Sequence, residues 1–399
     1  MKDASGNKVL VGAAAPLRLC LFTRAWRASG AGLYASELAR GMAQAGVDVT
    51  FLAPRSSDPR LEQPMAQLTR LRQPHERPGA GRLRNLGLSL ARMAGGFLLL
   101  ARARIGGNRL FVMTIMDPLP VALLMLLFLR ISGGRIIYVV HDPIPHAWHL
   151  PSFLRRLEQA VWRLPYRLVH ALVVLAEPTR LALREDVPNL SIPVAVIDLG
   201  IFATDAPAPL PGTGTLLLFG TLRSNKGVLE AIAGLRLATA RTNAPLRLLV
   251  RGGGHRDEAA YLAEIRKAAS DAGAVVDLEV GYVDEARLAD LIARCDALLM
   301  PYKDFHSQSG VALLAAGHAR PVIASAAGGI ATLMGEGMPC SPIARPVAAA
   351  TVSDAVIAFL DTPFARWEAD AFAYREAMLD RYSWGRIGRR FADLARSLA

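Results

Sequence analysis

Thr215-Leu216-Leu217-Leu218-Phe219-Gly220-Thr221-Leu222-Arg223-Ser224-Asn225-Lys226-Gly227 is the stretch whose reading decides the fold. Its apolar opening predicts a strand, Gly220 turns the chain, and a helix is expected to start after Gly227. Arg223 and Lys226 then stand at the carboxyl end of a strand, beside the free N–H groups of a helix start. An anion such as a diphosphate would be bound at such a point. The lysine is informative because the chain has 5 Lys against 41 Arg. A compact, mobile ammonium is a different tool from a planar guanidinium. Taken alone, the same residues also fit a solvated lysine in a turn.

The pattern repeats outward in both directions. Apolar runs at Leu17–Phe22, Val47–Leu52, Leu110–Met113, Ile136–Val140, Ala171–Leu175 and Val194–Ile197 alternate with helical patterns. The same holds for Leu216–Phe219, Leu246–Val250, Val275–Val280, Ala297–Met300 and Val322–Ala324. Continuous apolar strands belong to parallel sheets covered by helices on both faces. The expected class is α/β, with two doubly wound Rossmann-like domains, and 399 residues suit two domains. Ala206-Pro207-Ala208-Pro209-Leu210-Pro211-Gly212-Thr213-Gly214 interrupts all periodicity. It reads as a linker, placed at 201–214 between domains at 1–200 and 215–380.

Composition narrows the function. The three cysteines, Cys20, Cys295 and Cys340, are far apart and lack metal-ligand spacing, which points to a reducing, cytoplasmic setting. The N-terminal apolar stretch is short and broken by Gly12 and Pro16, so it does not read as a secretion signal. The net charge of +12 falls entirely in residues 1–200; residues 201–399 are neutral. A basic first half suggests an anionic partner, such as a membrane surface or a phosphorylated acceptor. Nucleic acid is not expected, because the arginines are scattered and no nucleic-acid-binding signature is present. An arginine-rich solvated surface would have the same composition.

Two apolar segments bear on the membrane question. Leu83, Leu86, Leu90, Met93 and Phe97 alternate three and four apart, which predicts one face of a helix between Gly81 and Gly106. The stripe reads first as a sheet-packing face, and second as a membrane-surface helix bordered by arginines. Leu119–Ile131 is nearly all apolar but too short to span a bilayer, which needs about 20 residues. It is expected to be a buried helix.

Three further motifs carry candidate chemistry. Ser29-Gly30-Ala31-Gly32 follows the first strand, where glycines admit a phosphate or sugar close to the backbone. It lacks the third glycine and the following acid of a dinucleotide fingerprint, which weighs against an oxidoreductase or epimerase using a nicotinamide cofactor. His141-Asp142-Pro143-Ile144-Pro145-His146 follows a strand at its carboxyl end. It offers His141 for hydrogen bonding or acid–base work, or as a structural histidine; a metal would need ligands not present nearby. Tyr302 to Val311 follows another strand, and Gln308 and Ser309 stand at a helix start that could hold a phosphate or simply be capped by Ser309.

Together these motifs resemble the GT-B fold glycosyltransferases, in particular the retaining family 4. The resemblance rests on the glycine segment with Gly46-Val47-Asp48-Val49, on Phe219-Gly220, Arg223 and Lys226-Gly227, and on Gly281-Tyr282-Val283 through Asp296 and Pro301-Tyr302. Gln308-Ser309-Gly310, Arg320-Pro321-Val322-Ile323-Ala324, Gly328-Gly329 and Tyr382-Ser383-Trp384 complete it. It implies two domains facing across a cleft, with a last helix, 381–399, packing back on the first. It implies retaining transfer of a sugar from a nucleoside diphosphate sugar to a saccharide or lipid-linked saccharide, without a metal or cofactor. The setting would be surface polysaccharide or glycolipid synthesis, with the protein peripheral on the inner face of the membrane.

On this resemblance Arg223 and Lys226 would stabilise the leaving diphosphate. Gly220, Gln308, Ser309, Gly310 and Val311 would line the donor site, Gly30 and Gly32 would let the first domain close on it, and His141 would meet the donor sugar or acceptor. The family's two donor-site glutamates are replaced by His306 and Leu314. That departure keeps a binding protein without turnover as the alternative.

Overall fold

The computed structural model describes residues 16–24, 30–54, 68–73, 82–114, 119–141, 152–254 and 258–399. The first lobe runs β1 (Arg18–Phe22), α1 (Gly30–Gln44), β2 (Asp48–Pro54), β3 (Leu68–Gln73), α2 (Arg82–Ile105) and β4 (Leu110–Met113). It continues through α3 (Leu119–Ile131), β5 (Arg135–Val140), α4 (Arg155–Leu168), β6 (Ala171–Val174), α5 (Glu177–Asp186) and β7 (Val194–Val196). Its sheet has the order β3-β2-β1-β4-β5-β6-β7, and every pairing is parallel.

The second lobe runs β8 (Thr215–Phe219), α6 (Val228–Arg241), β9 (Arg247–Gly252), α7 (Ala259–Ala272), β10 (Val276–Val280), α8 (Glu285–Ala293) and β11 (Ala297–Met300). Then follow α9 (Gly310–Gly317), β12 (Val322–Ser325), α10 (Gly329–Gly335), β13 (Cys340–Ile343), α11 (Ala349–Asp361), α12 (Phe364–Arg381) and α13 (Trp384–Ser397). Its sheet, β10-β9-β8-β11-β12-β13, is again parallel throughout. The strand order reverses between β1 and β4 in one sheet and between β8 and β11 in the other. Ligands of open α/β sheets bind outside the carboxyl ends of strands at such reversals.

The expected apolar runs all form strands. Two strands were not expected, β3 and β13, and both are sheet edges. An edge strand needs no apolar residue on every position. Leu68-Thr69-Arg70-Leu71-Arg72-Gln73 has only two apolar residues, three apart, and β13 carries Pro342, which an edge tolerates.

Side chains alternate across the first sheet as the pleat requires. Leu19 and Leu21 pack under α1 and α13, whereas Cys20 and Phe22 pack under α2, α3 and α4. Expectation and structure diverge at these last helices. Leu83, Leu86 and Leu90, read as sheet-facing, are exposed at 86%, 57% and 57%. The face of α2 that meets the sheet is instead Gly96, Leu100 and Ala103, with Arg92 also buried. The Leu119–Ile131 helix is buried on only one side; Leu124 and Ile131 on the other side are exposed.

The chain crosses between lobes through 197–214, which has no regular secondary structure. Buried side chains of the second lobe fasten this segment. Asp296, fully buried, accepts hydrogen bonds from the N–H groups of Gly212, Thr213 and Thr215 at 2.6, 2.9 and 3.1 Å. Arg320 donates to the carbonyls of Ala208 and Pro209, and Arg375 to those of Thr204 and Gly317. Arg320, part of one of the stretches that carry the family resemblance, therefore holds the crossover.

His318 lies beside these two guanidinium groups. Burial first, and then Arg320 and Arg375, depress its pKa to about 4. The unfolded chain, with an ordinary histidine near 6.5, binds the proton more tightly than the folded one. Stability is therefore full above about pH 6.5 and falls as the pH drops toward 4. Thermal midpoints across this window should fall less steeply in His318→Gln than in the parent; parallel curves would show that His318 does not titrate in this way.

The last helix returns to the first lobe. A Cβ at Gly388 would overlap the backbone of Gly41, and one at Gly41 would overlap the carbonyl of Trp384. The two glycines let α13 cross α1 backbone against backbone. Trp384 closes the corner: its indole N–H donates to the carbonyl of Ile201 at 3.0 Å, and its ring meets Tyr34 and Phe202 edge-on or tilted. A Cβ at Gly200 would sit 2.5 Å from that indole, so the glycine makes room for it.

Candidate functional site

Gly220 ends β8 with φ +124°, a conformation that favours glycine. Its amide donates to the carbonyl of Arg251, and a Cβ there would touch Val311 at 3.9 Å. The first turn of α9 therefore lies directly over the glycine turn. Arg223 follows in an extended conformation, half-buried, and its Nε is buried without a hydrogen-bond partner among the described residues. A buried guanidinium N–H left unpaired is costly, and a bound anion would satisfy it.

Lys226 closes one turn of 3₁₀ helix. Its ammonium lies 3.6 Å from the ring centroid of Tyr302 and 4.4 Å from that of Phe305. Lys303 nearby forms an ion pair with Glu230 at 2.8 Å, so its charge is already balanced. Gly227 adopts φ +65°, and a Cβ there would overlap the carbonyl of Pro301. Lys303 N–H donates to the carbonyl of Asn225 at 2.9 Å. The cationic turn after β8 is thereby pressed against the loop after β11, across the strand-order reversal.

Gln308 and Ser309 are buried. The Ser309 hydroxyl accepts from Ala312 N–H, which is the plain helix cap, and the Gln308 carboxamide oxygen accepts from Ser309 N–H at 3.1 Å. Both side chains thus shape the helix start from within. The amides of Gly310 and Val311 remain without a hydrogen-bond partner among the described residues. They are the donors that α9 can offer to an anion.

The same segment meets the first lobe. The Ser307 hydroxyl donates to the carbonyl of His141 at 2.8 Å, and the Thr179 hydroxyl to the carbonyl of His306 at 3.0 Å. A Cβ at Gly310 would lie 3.8 Å from Leu199. His141 is the residue after β5; its ring stands edge-on to Tyr34, with centroids 5.2 Å apart, and its Nε2 is buried.

Tyr34 sits one turn after Gly30 in α1, fully buried, with a hydroxyl lacking a hydrogen-bond partner among the described residues; burial pushes its pKa far above the ordinary range. Gly30 and Gly32 belong to the first turn of α1 rather than to a loop before it, because the helix starts four residues earlier than its apolar pattern suggests. Space is open where a Cβ at Gly30 would be.

Contacts therefore connect Tyr34 and His141 of one lobe with the segment from Ser307 to Val311 of the other, and Val311 with Gly220; Gly30, Gly32 and Arg223 adjoin these residues along the chain. Lys226 joins through Tyr302 and Phe305. Ser29 and the segment from Asp142 to His146 lie outside the described residues. His306 is exposed and contributes only its carbonyl here, and Leu314 is half-buried among apolar neighbours. Among the described residues, no cluster of three or more His, Cys, Asp or Glu could hold a metal ion. Tyr34 and Thr179 escape sequence reasoning: nothing in a lone aromatic on a helix, or a lone threonine, announces a contact with the other half of the chain.

The two lobes, their parallel sheets and their reversal points define the GT-B architecture. Residues 28–202 match the family model described as Glycosyltransferase Family 4, and residues 174–391 match one described as Family 4 Glycosyltransferase in conflict systems. The chain belongs to glycosyltransferase family 4.

A relative in Xanthomonas campestris pv. campestris, described as GDP-mannose:glycolipid 4-beta-D-mannosyltransferase, is 29% identical over 208 residues, 51% of this chain and 53% of the relative. The match thus spans about half the length of that curated relative. Among solved structures, Anabaena HepE in complex with UDP and glucose superposes with a TM-score of 0.70 at 15% identity, covering 96% of this chain and 100% of that one. Sucrose-phosphate synthase from Thermosynechococcus elongatus gives 0.71 at 18% identity, covering 96% and 99%. At these identities the superpositions speak for the fold.

Proposed function

We propose that the chain transfers a sugar from a nucleoside diphosphate sugar to a saccharide or lipid-linked saccharide, with retention of configuration and without a metal. The observation that carries this reading is the meeting of two kinds of anion-binding group at one strand-order reversal. The unpaired amides of Gly310 and Val311 open α9, whose Val311 side chain stands against the Gly220 turn, and Arg223 with its unpaired buried Nε follows that turn. Family membership, the UDP and glucose bound to Anabaena HepE and the GDP-mannose in the relative's name agree with a nucleoside diphosphate hexose as donor.

The chemistry follows from where charge develops. As the bond between the anomeric carbon and the diphosphate breaks, negative charge collects on the leaving oxygens. Groups already aimed at that place stabilise the transition state more than the ground state. In this role Arg223 and the two amides bind the diphosphate, and the Lys226 ammonium swings from the Tyr302 face onto the leaving oxygen. Gly30 and Gly32 leave room for the first lobe to approach the diphosphate and the acceptor. His141, held against Tyr34, orients the sugar or the acceptor hydroxyl. The basic first lobe would bring the protein to the inner face of a membrane, where lipid-linked acceptors of surface polysaccharide or glycolipid synthesis reside.

A second reading has its own support. His306 and Leu314 stand where family 4 enzymes commonly carry glutamates, which favours a nucleotide-sugar-binding protein without turnover. Incubation of the purified chain with labelled UDP- and GDP-hexoses and lipid or saccharide acceptors separates the two. Product formation with release of nucleoside diphosphate supports transfer; saturable donor binding without product supports the second reading. NMR of the product's anomeric proton tests retention. The relative's name specifies a beta linkage; a beta product from an alpha-linked donor would mean inversion and would overturn the retaining part.

A further inference from the structure

We propose that the outer face of α2, α3 and the start of α4 is the surface on which this protein lies on an anionic lipid bilayer, with the apolar residues of that face entering the headgroup region.

The outward side of α2 is apolar where a solvated helix would be polar. At about 100° per residue, Leu83, Leu86, Leu90, Ala94, Leu98 and Ile105 fall within an arc of about 120°. The five large side chains among them are 57–86% exposed. Arg84 and Arg102, also exposed, stand just beyond one edge of that arc. The neighbouring α3 continues the surface with Leu124, Leu127 and Ile131, spaced three and four apart. The turn leading into α4 and the first turn of that helix add Phe153 and Leu157, 80% and 57% exposed. All three helices cover the same side of the first sheet, because their inward residues share one buried cluster with Cys20 and Phe22. Their outward residues therefore face one way. Apolar patches of this extent on a protein surface mark an interaction site.

Charge identifies the partner. The exposed residues of the three helices include six arginines, Arg84, Arg102, Arg130, Arg155, Arg156 and Arg167, while Glu158 is the one acidic residue on these helices. A second copy of the same surface would bring like charges together, whereas an anionic bilayer attracts them and accepts the leucines between them. The stretch Leu86–Ile105 is also apolar and long enough to cross a membrane. Its inner face, however, packs on the sheet through Gly96, Leu100 and Ala103, so it lies along the surface while the lobe is folded.

Placement fits as well. Helices of a parallel sheet run opposite to the strands, so their first turns lie at the strands' carboxyl ends. Leu83, Leu86, Phe153 and Leu157 are thus at the end of the lobe that carries His141 and Gly30. A bilayer held there would present a lipid-linked molecule to the edge of the candidate site.

The experiment is co-sedimentation of the full chain with phosphatidylcholine vesicles, with and without phosphatidylglycerol, at low and high salt. The parent should bind only when phosphatidylglycerol is present. The combined variant Leu83→Glu, Leu86→Glu and Leu90→Glu should bind at least about tenfold more weakly. Leu237→Glu, a single change of the same kind at an exposed position of the second lobe, should bind as the parent does, and each of the three changes made singly should weaken binding more than it does. Circular dichroism and gel filtration of each variant establish that it is folded, which is expected because the altered residues are exposed. Undiminished binding by the folded triple variant, or no binding by the parent at low salt, overturns the proposal. So does a parent dimer that the triple substitution dissolves. The measurement needs no transfer assay, so its failure leaves the proposed reaction standing.

Discussion

Lys226→Ala is expected to lower turnover by about 10²–10³-fold, the usual cost of removing one group that stabilises transition-state charge. Folding should be nearly unaffected. The ammonium rests on the faces of Tyr302 and Phe305, a cation–π contact worth about 0.5–1 kcal/mol at a partly exposed site. The two readouts therefore separate: a large fall in kcat with a thermal midpoint close to that of the parent. Lys226→Arg should recover little, because a planar guanidinium does not reproduce a mobile point charge. Lys303→Ala is the control, since that lysine is paired with Glu230; its effect on kcat should be much smaller. Near-parental turnover in Lys226→Ala would remove this lysine from the proposed chemistry.

Gly388→Val should be the most damaging substitution to the fold away from the site. The backbones of α1 and α13 touch at Gly41 and Gly388, and any Cβ at Gly388 would overlap main-chain atoms of Gly41 and Met42. Main-chain atoms cannot rotate away as a side chain can, so the helices must separate or α13 must leave. Overpacking of a well-packed interface costs about 1–3 kcal/mol and sometimes more; a backbone overlap belongs at the upper end. Separation would also draw Trp384 out of its place against Gly200 and Tyr34, and Tyr34 supports the ring of His141. The expected result is a thermal midpoint several degrees below the parent and weaker activity in whatever remains folded. Gly385→Ala, whose nearest neighbours are the movable ends of the Gln44 and Arg389 side chains, should be mild by comparison. A Gly388→Val protein as stable as the parent would mean that the helices do not cross at this distance.

The parts of the fold legible in the sequence are those buried on both faces. β4, β6, β11 and β12 are fully buried along their length, and a short, unbroken apolar run is the pattern such burial requires. β3 and β13 were hidden because neither is an unbroken apolar run: β3 has Leu68 and Leu71 among polar residues, and β13 carries Ser341 and Pro342. The stripe on α2 misled for another reason. Periodicity reveals a helix with an apolar side, but it does not say whether that side meets the sheet or the surroundings. On α2 the sheet side is built from Gly96, Leu100 and Ala103 near its end, while the leucines of its first half face outward.

Much of the candidate site was legible locally, since Gly220, Arg223, Lys226 and Gln308 to Val311 occupy two short segments. What joins them to the other lobe was not. The bonds from Ser307 to the carbonyl of His141 and from Thr179 to that of His306 end on backbone oxygens, and every residue possesses one. Arg320 shows the opposite case: a charged residue within a family motif whose guanidinium is taken up by the carbonyls of the crossover.

The proposed reaction depends above all on a nucleoside diphosphate binding between the Gly220 turn and the start of α9, with Arg223 as a direct partner. Calorimetric titration of the parent and of Arg223→Ala with UDP and with GDP tests this most directly. The parent should bind at least one of them saturably, and the variant should bind it at least about tenfold more weakly, since a charge-assisted hydrogen bond contributes about 1.5–3 kcal/mol. No binding of either nucleotide, or equal affinity in the parent and the folded variant, would contradict it.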